Sequence, residues 1–358
     1  MISRYLICII FLTYIIVTGK INLLFLCSIS NYRAIGAMNR LLRSRPGNPV
    51  ITGFILLTLL AFSGCGERIH SKDVDTPTTG RIKMGLDNSY SLLMDAEIYA
   101  FETFYKYAHI DTLCRNEADI IEAFKKDSIP LMVVNRKMTQ EETNNLLAQQ
   151  IIVRTTRIAY DAVALIINPS NPDTNLLYGQ VANIFMGKIT NWKQINPKSK
   201  LGDVKVIFDN YKSGNTRYFR EKFKLEKLPA SCFALNNNEE VISFVEKHPE
   251  AIGIVSVNWI SDKQDSVSHR FLSGIKVAAI NREGTDSLDA TFYTPHPGYI
   301  AEGFYPFIRE VYMISRQTYS GLAIGFTSYV AGTDGQLIVL RSGLVPATMP
   351  VRIVQIKN

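Results

Sequence analysis

The stretch FDNYKSGNTRYF, residues 208–219, is read from both of its ends. Upstream, VKVIF at 204–208 is a short apolar, β-branched run, which predicts a strand; downstream, TRYFREKF at 216–223 carries apolar residues at helical spacing, which predicts a helix. Between them Ser213, Gly214, Asn215 and Thr216 gather hydroxyls, an amide side chain and a glycine at one helix N-terminus. A strand that runs through a polar turn into a helix is the building unit of α/β folds. Such a turn also presents unpaired backbone amides at the positive end of the helix dipole, a chemistry that suits an anion.

The same order recurs on either side. Before this stretch come RIKMGL (81–86), the helix-spaced LLMDAEIYAFETFYKYA (92–108), EADIIEAFKKD (117–127) and IPLMVV (129–134). A second block starts near Tyr160 with DAVALIINP (161–169) as a strand and NLLYGQVANIFMG (175–187) as a helix closed by Gly187. NNEEVISFVEKH (237–248) then reads as a helix and AIGIVSV (251–257) as a strand. IKVAAI, GLAIGFTSYVAG, DGQLIVLRSG and VRIVQI follow, and no internal repeat is evident. Two α/β lobes fit this succession better than one.

At 358 residues, with 47% apolar and 20% charged residues, the chain is long enough for two domains with sizeable cores. Its formal charge of +7 invites a nucleic-acid or membrane partner until its location is checked. Residues 1–65 hold Arg4, Lys20, Arg33, Arg40, Arg43 and Arg45 and no acid, which leaves +1 for the remainder, so a nucleic-acid partner is not expected. From Met38, a basic start, an apolar run over about 50–62 and Phe62-Ser63-Gly64-Cys65 resemble a bacterial lipoprotein signal. The expectation is a signal peptide over 38–65, lipidation of Cys65 as a membrane anchor, and a polar tether over 66–80. Residues 1–37 read as a misassigned extension, with Met38 the initiator. Beyond the leader only Cys114 and Cys232 remain, and their pairing is left open.

Three corners can present ligand-binding groups. Asp87-Asn88-Ser89-Tyr90 follows the first strand, and Ser89 either caps the next helix or offers its hydroxyl to an anion. Asn135-Arg136 ends the strand IPLMVV, where open α/β sheets place ligands, and the Arg136 guanidinium suits a bidentate oxyanion contact. Thr139 and Glu142 beyond it form a capping box. The third corner is Ser213 to Thr216, with Arg217 adding charge. Metal-type spacing is absent from the five histidines, His70, His109, His248, His269 and His296, and no hydrolase or P-loop motif occurs, so neither a metal, a cofactor nor a catalytic residue is expected.

Several segments together resemble one family. They are FMGKITNWKQINP (185–197), SGNTRYF (213–219), AIGIVSVNWISD (251–262), YPFIREVYMISR (305–316) and GTDGQLIVLRSGLVPA (332–347). The chain resembles the phosphate-type substrate-binding proteins of ABC transporters, the PstS-like group of periplasmic binding proteins. The resemblance implies a two-lobed type II fold, each lobe a mixed sheet flanked by helices and the two joined by two crossovers. Lobe one would take 80–158 and 275–358, lobe two 159–274, with chain crossings near 158–161 and 265–280. It also implies anion contacts at Asn88, Ser89, Tyr90, Arg136, Ser213, Gly214 and Asn215, beside which Thr216 and Arg217 stand as further candidates from the residues themselves. The pattern departs from the family at two corners. Asp87-Asn88-Ser89-Tyr90 replaces a Gly-Ser-Thr type turn, and Tyr211-Lys212 with Asn215 alters an Asp-Gly-Ser-Gly-Thr turn. The acceptor for a phosphate proton therefore has three candidates, Asp87, Asp161 and Asp209.

The implied function is capture of phosphate or a similar oxyanion at the extracytoplasmic face of a bacterial membrane and delivery to an ABC permease, without chemistry on the ligand. A sensor or binder of another oxyanion (sulfate, molybdate or a phosphorylated small molecule) shares the fold. A phosphate-ester hydrolase would need a nucleophile beside a base, or metal ligands, which the sequence does not present.

Overall fold

A computed structural model of the chain describes residues 75–261, 273–287 and 290–350. All of these belong to one compact unit, Ile69–Asn358. The expected extension, signal peptide and Cys65 lie outside the described residues.

The body begins earlier than the expected end of the tether, because Asp75 is already pinned. Its Oδ1 accepts from the Leu322 amide at 2.6 Å, and its Oδ2 accepts from Gln317 Nε2 at 2.7 Å and Tyr319 OH at 2.6 Å. From there the chain follows the anticipated α/β alternation with one correction: the helix read through residue 108 ends at Phe104, and Tyr107–Arg115 is an edge strand that the sequence reading did not contain. β1 (Thr79–Asp87) leads through a 3-10 turn (Asn88–Tyr90) into α1 (Ser91–Phe104); β2 (Tyr107–Arg115), α2 (Glu117–Lys125), β3 (Leu131–Val134) and α3 (Gln140–Ala148) complete the first half-lobe. β4 (Arg154–Ile167) crosses to the second lobe, which holds β5 (Asn175–Leu176), α4 (Tyr178–Phe185), β6 (Lys205–Phe208), α5 (Gly214–Lys222), β7 (Cys232–Ala234), α6 (Asn238–Lys247) and β8 (Ala251–Ser256). After the short α7 (Asn258–Ser261) come β9 (Lys276–Val277), β10 (Ala279–Asn281), β11 (Phe292–Tyr293) and α8 (Pro297–Ala301). β12 (Ile308–Ser315), α9 (Leu322–Val330), α10 (Thr333–Arg341) and β13 (Val345–Pro346) return to the first lobe.

The main sheet runs in the order β2-β1-β3-β12-β4-β8-β6-β7, with β9 and β13 each pairing β4. β4 belongs to both lobes. Its first part pairs antiparallel with β12, from Ser315↔Arg154 to Ile308↔Ala162, and its last five residues pair antiparallel with β8, from Val163↔Ser256 to Ile167↔Ile252. A strand flanked on both edges and packed on both faces reads as continuous apolar sequence, and DAVALIINP does so because Ala162 to Ile167 are all buried. Parallel pairs β1 with β2 and β3, and β6 with β8 and β7, are joined by helical crossovers, as parallel strands require.

The pairing moves the second crossing. The sequence reading places 275–358 in lobe one, yet β9 pairs with β4 at Ile166 and Ile167, and β10 pairs with β5. The return happens at Phe307–Ile308, where Phe307 O accepts from the Val163 amide at 2.9 Å. IKVAAI has the composition of any buried strand, so its sequence does not tell which sheet edge it joins.

Beneath α5 lies an aromatic cluster that fixes the helix to the return crossing at Phe307. Phe219 stacks on Phe185 with centroids 4.3 Å apart and meets Phe307 edge-on at 5.2 Å; Phe208 and Phe223 close the group. Gly187, at φ +71°, ends α4 as expected, a left-handed conformation that glycine adopts without strain. Trp192 of GKITNW is buried and donates Nε1 to Glu250 O at 2.9 Å, so this tryptophan is a packing residue. No helix among the described residues is long and apolar enough to cross a membrane.

Removing Phe219 would leave a cavity ringed by four aromatic side chains. Phe219→Ala is expected to lower the unfolding free energy by about 3 to 5 kcal/mol in urea titration.

Candidate functional site

The strand ends converge where β4 and β12 cross, and there the fold buries an unusual density of charge. Asp161 on β4 and Arg309 on β12 are register partners, both buried. Arg309 Nε donates to Asp161 Oδ2 at 2.8 Å, and Nη2 lies 2.8 Å from the same oxygen. Asp161 also accepts from Ser256 Oγ at 2.9 and 3.0 Å and from Tyr90 OH at 3.2 Å. Nη1 of Arg309 has no hydrogen-bond partner among the described residues. Arg309 was not among the candidates from sequence. Its signal was an arginine inside the strand pattern IREVYMIS, two residues before Val311 and so on the same, buried face of the strand.

The first corner places its residues unequally. Asp87 Oδ1 accepts from the Ser89 amide at 2.8 Å and so caps the 3-10 turn. Ser89 is buried, and its hydroxyl leans toward the Asp87 carboxylate without a well-formed hydrogen bond to any described residue, while its carbonyl accepts from Asn258 Nδ2 at 3.1 Å. The Tyr90 ring lies under the Arg309 guanidinium, 5.6 Å from its centroid. Asn88 faces elsewhere, accepting from Cys114 Sγ at 2.7 Å.

At the second corner the cleft residue is Asn135 and not Arg136. Both Nη atoms of Arg136 donate to Glu142 at 2.8 Å, and one also reaches Lys137 O. The reason is local: Thr139 and Glu142 form the expected capping box, which holds the Glu142 carboxylate beside the strand end. The Arg136 pair holds the Glu142 carboxyl down at about 2. Asn135 takes the place that the sequence reading gave to Arg136. Its Oδ1 accepts from Arg217 Nη2, and its Nδ2 has no partner among the described residues.

The third corner is a helix cap in which most groups are turned inward. Ser213 Oγ accepts from the Thr216 amide at 3.2 Å and lies 2.7 Å from Asp209 Oδ1, to which it donates. Thr216 Oγ1 donates to Asn210 O at 2.6 Å, and Asn215 Nδ2 donates to Asp209 Oδ1 at 3.1 Å, leaving Asn215 Oδ1 without a partner among the described residues. The Gly214 amide points across the cleft and donates to Asp87 Oδ2 at 3.3 Å. A Cβ on Gly214 would lie 1.9 Å from Asn135 Nδ2, so only glycine permits this approach of the lobes. Arg217 spans the cleft to Glu117, with Nε to Oε1 at 2.5 Å and Nη2 to Oε2 at 3.2 Å. Lys212 adds an exposed bridge to Asp119 at 3.3 Å.

Four buried carboxylates, Asp87, Glu117, Asp161 and Asp209, thus share the cleft with two guanidinium groups. Burial, then the charge of Glu117, pushes the Asp87 carboxyl up, against the hydrogen bonds from Ser89. Burial, then the charge of Asp87, pushes Asp209 up to about 6. Of the three acceptor candidates, Asp87 and Asp209 face one another and Asp161 is taken up by Arg309. Among the described residues no group of His, Cys, Asp and Glu is arranged to hold a metal, and Cys114 and Cys232 are free thiols, one exposed and one buried.

Known proteins share this architecture. Residues 72–334 match the family model described as the PBP superfamily domain. The phosphate-binding protein PstS of Bacillus subtilis is 25% identical over 221 residues, covering 61% of this chain and 65% of that protein. PstS of Staphylococcus saprophyticus is 23% identical over 197 residues, 55% of this chain and 57% of that one, so the chain spans less than two thirds of the length of either relative. A putative phosphate ABC transporter substrate-binding protein from Clostridium perfringens, solved with bound phosphate, superposes with a TM-score of 0.62 at 21% identity over 75% of this chain and all of that one. An ABC-type phosphate transport receptor from Vibrio cholerae gives 0.56 at 20% identity, again over 75% of this chain and all of that one. At these identities the solved structures establish the fold.

The raised carboxyl of Asp209 has a consequence for stability. Its folded value lies above the unfolded one, so the folded state binds the extra proton and stability falls as pH rises between the two. Asp209 thereby contributes about 1 kcal/mol of the stability gained on lowering the pH from 7 to 5, beside buried Glu97, pushed up to about 9, which acts in the same direction; Asp209→Asn is expected to reduce the gain seen in urea unfolding by about that amount without abolishing it.

Proposed function

We propose, because the chain belongs to the PBP superfamily, that it is an extracytoplasmic solute-binding protein that captures phosphate between its two lobes and delivers it to an ABC permease. The observation that carries this reading is a set of buried donors without partners. Ser89 Oγ, Asn135 Nδ2 and Arg309 Nη1 come from the first corner, the second corner and the crossing strand, and none has a hydrogen-bond partner among the described residues. An unsatisfied buried donor costs about 1 to 3 kcal/mol, so three in one cleft are accounted for by a ligand that accepts from all of them. The Gly214 amide beside them already holds an oxyanion, the carboxylate of Asp87. The names of the Bacillus and Staphylococcus relatives, phosphate-binding proteins, favour phosphate among the oxyanions.

Ser89, Asn135, Gly214 and Arg309 take the ligand in this reading, while Tyr90 and Asp161 orient Arg309. Asn88 and Arg136 take no part. Arg217 binds the lobes to each other and not the ligand. Binding without chemistry is supported by the placement of the described histidines: His109 lies on the edge strand β2, His248 stacks on Phe244, and His296 caps α8. The lipid anchor at Cys65 rests on the leader sequence, and it sets the protein on the extracytoplasmic face of a bacterial membrane.

Two serine variants separate ligand contact from helix capping. Ser89→Ala is expected to weaken phosphate binding in calorimetry about tenfold or more while changing the melting temperature little, since its hydroxyl makes no well-formed hydrogen bond among the described residues. Ser213→Ala is expected to lower stability by about 1 kcal/mol and to leave affinity within about twofold. The opposite pattern would move the site to the cap of α5, and preferential binding of sulfate or molybdate in the same titrations would replace phosphate as the ligand.

A further inference from the structure

We infer that Asp87 is a built-in competitor for the oxyanion seat: its carboxylate occupies the Gly214 amide across the cleft and latches the lobes together, so that a ligand binds by displacing it. The inference rests on the oxyanion reading of the cleft and names the residue that sets its selectivity.

The geometry carries it in three steps. First, Asp87 joins the lobes through its two oxygens. Oδ1 belongs to the turn it caps, at 2.8 Å from the Ser89 amide, whereas Oδ2 reaches the first amide of α5 at 3.3 Å. A helix of nine residues presents its unpaired N–H groups and partial positive charge there, and a carboxylate is the chemical stand-in for a phosphate oxygen. Second, the seat is surrounded by buried donors that Asp87 does not satisfy; the Ser89 hydroxyl leans toward its carboxylate without forming a well-made hydrogen bond. Ser89 Oγ and Asn135 Nδ2 are buried and unpartnered among the described residues, although Asn135 Nδ2 stands close enough to Gly214 that a Cβ there would collide with it. One carboxylate leaves these donors empty; a tetrahedral oxyanion, with more oxygens, can meet them.

Third, the surroundings of Asp87 resist its charge. Glu117 from α2, Asp209 from the end of β6, and Tyr90 and Cys114 from its own lobe face it, against Arg309 from β12. Arg309 is already paired with Asp161 and Arg217 with Glu117, so among the described residues no guanidinium is paired with Asp87 or Asp209. A multiply charged oxyanion entering beside two ionised carboxylates is repelled by both. Protonation of Asp87 releases its claim on the Gly214 amide and removes one repulsion, so ligand binding is linked to proton uptake. The cleft accordingly selects against highly charged anions at high pH.

Asp87→Asn keeps the shape and the turn cap without the charge, and Asp87→Ser keeps the cap but is too short to cross the cleft. Both are expected to bind inorganic phosphate at least tenfold more tightly than the unsubstituted protein at pH 7.5. The difference between variant and unsubstituted affinities is expected to narrow as the pH falls to 5.5, a comparison in which the ionisation of phosphate itself cancels. Small-angle scattering without ligand is expected to show a larger radius of gyration for Asp87→Ser. Weaker phosphate binding by both variants would make Asp87 a ligand contact and overturn the competitor. An unchanged radius would overturn the latch. If none of the three proteins binds phosphate but the radius still grows, phosphate falls as the ligand and the latch stands; with neither effect, both fall.

Discussion

Everything in the cleft depends on one buried ion pair. Taking Asp161 and Arg309 out of water costs several kcal/mol per ion, and only well-formed contacts offset it. The register partnership of β4 and β12 sets the two side chains opposite one another, and Ser256 from the second lobe and Tyr90 from the first complete the carboxylate's hydrogen bonds. The pair therefore touches both lobes at the point where the chain passes between them. Removing either member would leave the other as an uncompensated charge. The pair leaves one guanidinium nitrogen, Arg309 Nη1, without a partner among the described residues.

The lobes meet through polar groups: Arg217 with Glu117 and Asn135, Asp87 with Gly214, and Asn258 with Ser89. Each of these groups can be satisfied by water when the cleft opens, whereas an apolar seam could not. The apolar clusters lie behind them, under α5 and between sheet and helices. Rigid lobes with a reversible polar interface are the requirement for closure about a solute. The aromatic cluster of Phe185, Phe208, Phe219, Phe223 and Phe307 keeps the N-terminus of α5 from shifting when the cleft contacts exchange.

What the sequence shows and what it conceals divide by range. The strand and helix succession, the Gly187 stop, the capping box of Thr139 with Glu142 and the cap at Ser213 all depend on residues within a few positions of one another, and each is legible. Arg136 misled because its partner, six residues on, belongs to that same capping box, and position along a strand does not report which way a long side chain turns. Arg309 was hidden because the residue that explains it, Asp161, is 148 positions away. The return crossing escaped for a similar reason, since β9 and β10 choose their edges by pairing with β4 and β5. The second half of the first lobe was expected in its place, and only its start, at Phe307–Ile308 and not near residue 275, was missed.

The position of β12 constrains the order in which the molecule can be made. It lies between β3 and β4 in the sheet, yet it follows both by more than a hundred residues. Until Ile308–Ser315 has been synthesised and inserted, β3 lacks its antiparallel neighbour and β4 lacks the partner for its first part, so both carry bare edges. The second lobe, by contrast, has all of its paired strands before that point. Maturation is thus not a march from the N-terminus. The lobe that starts first finishes last, and the nascent protein must be kept from pairing those edges with another chain until its own closing strand arrives.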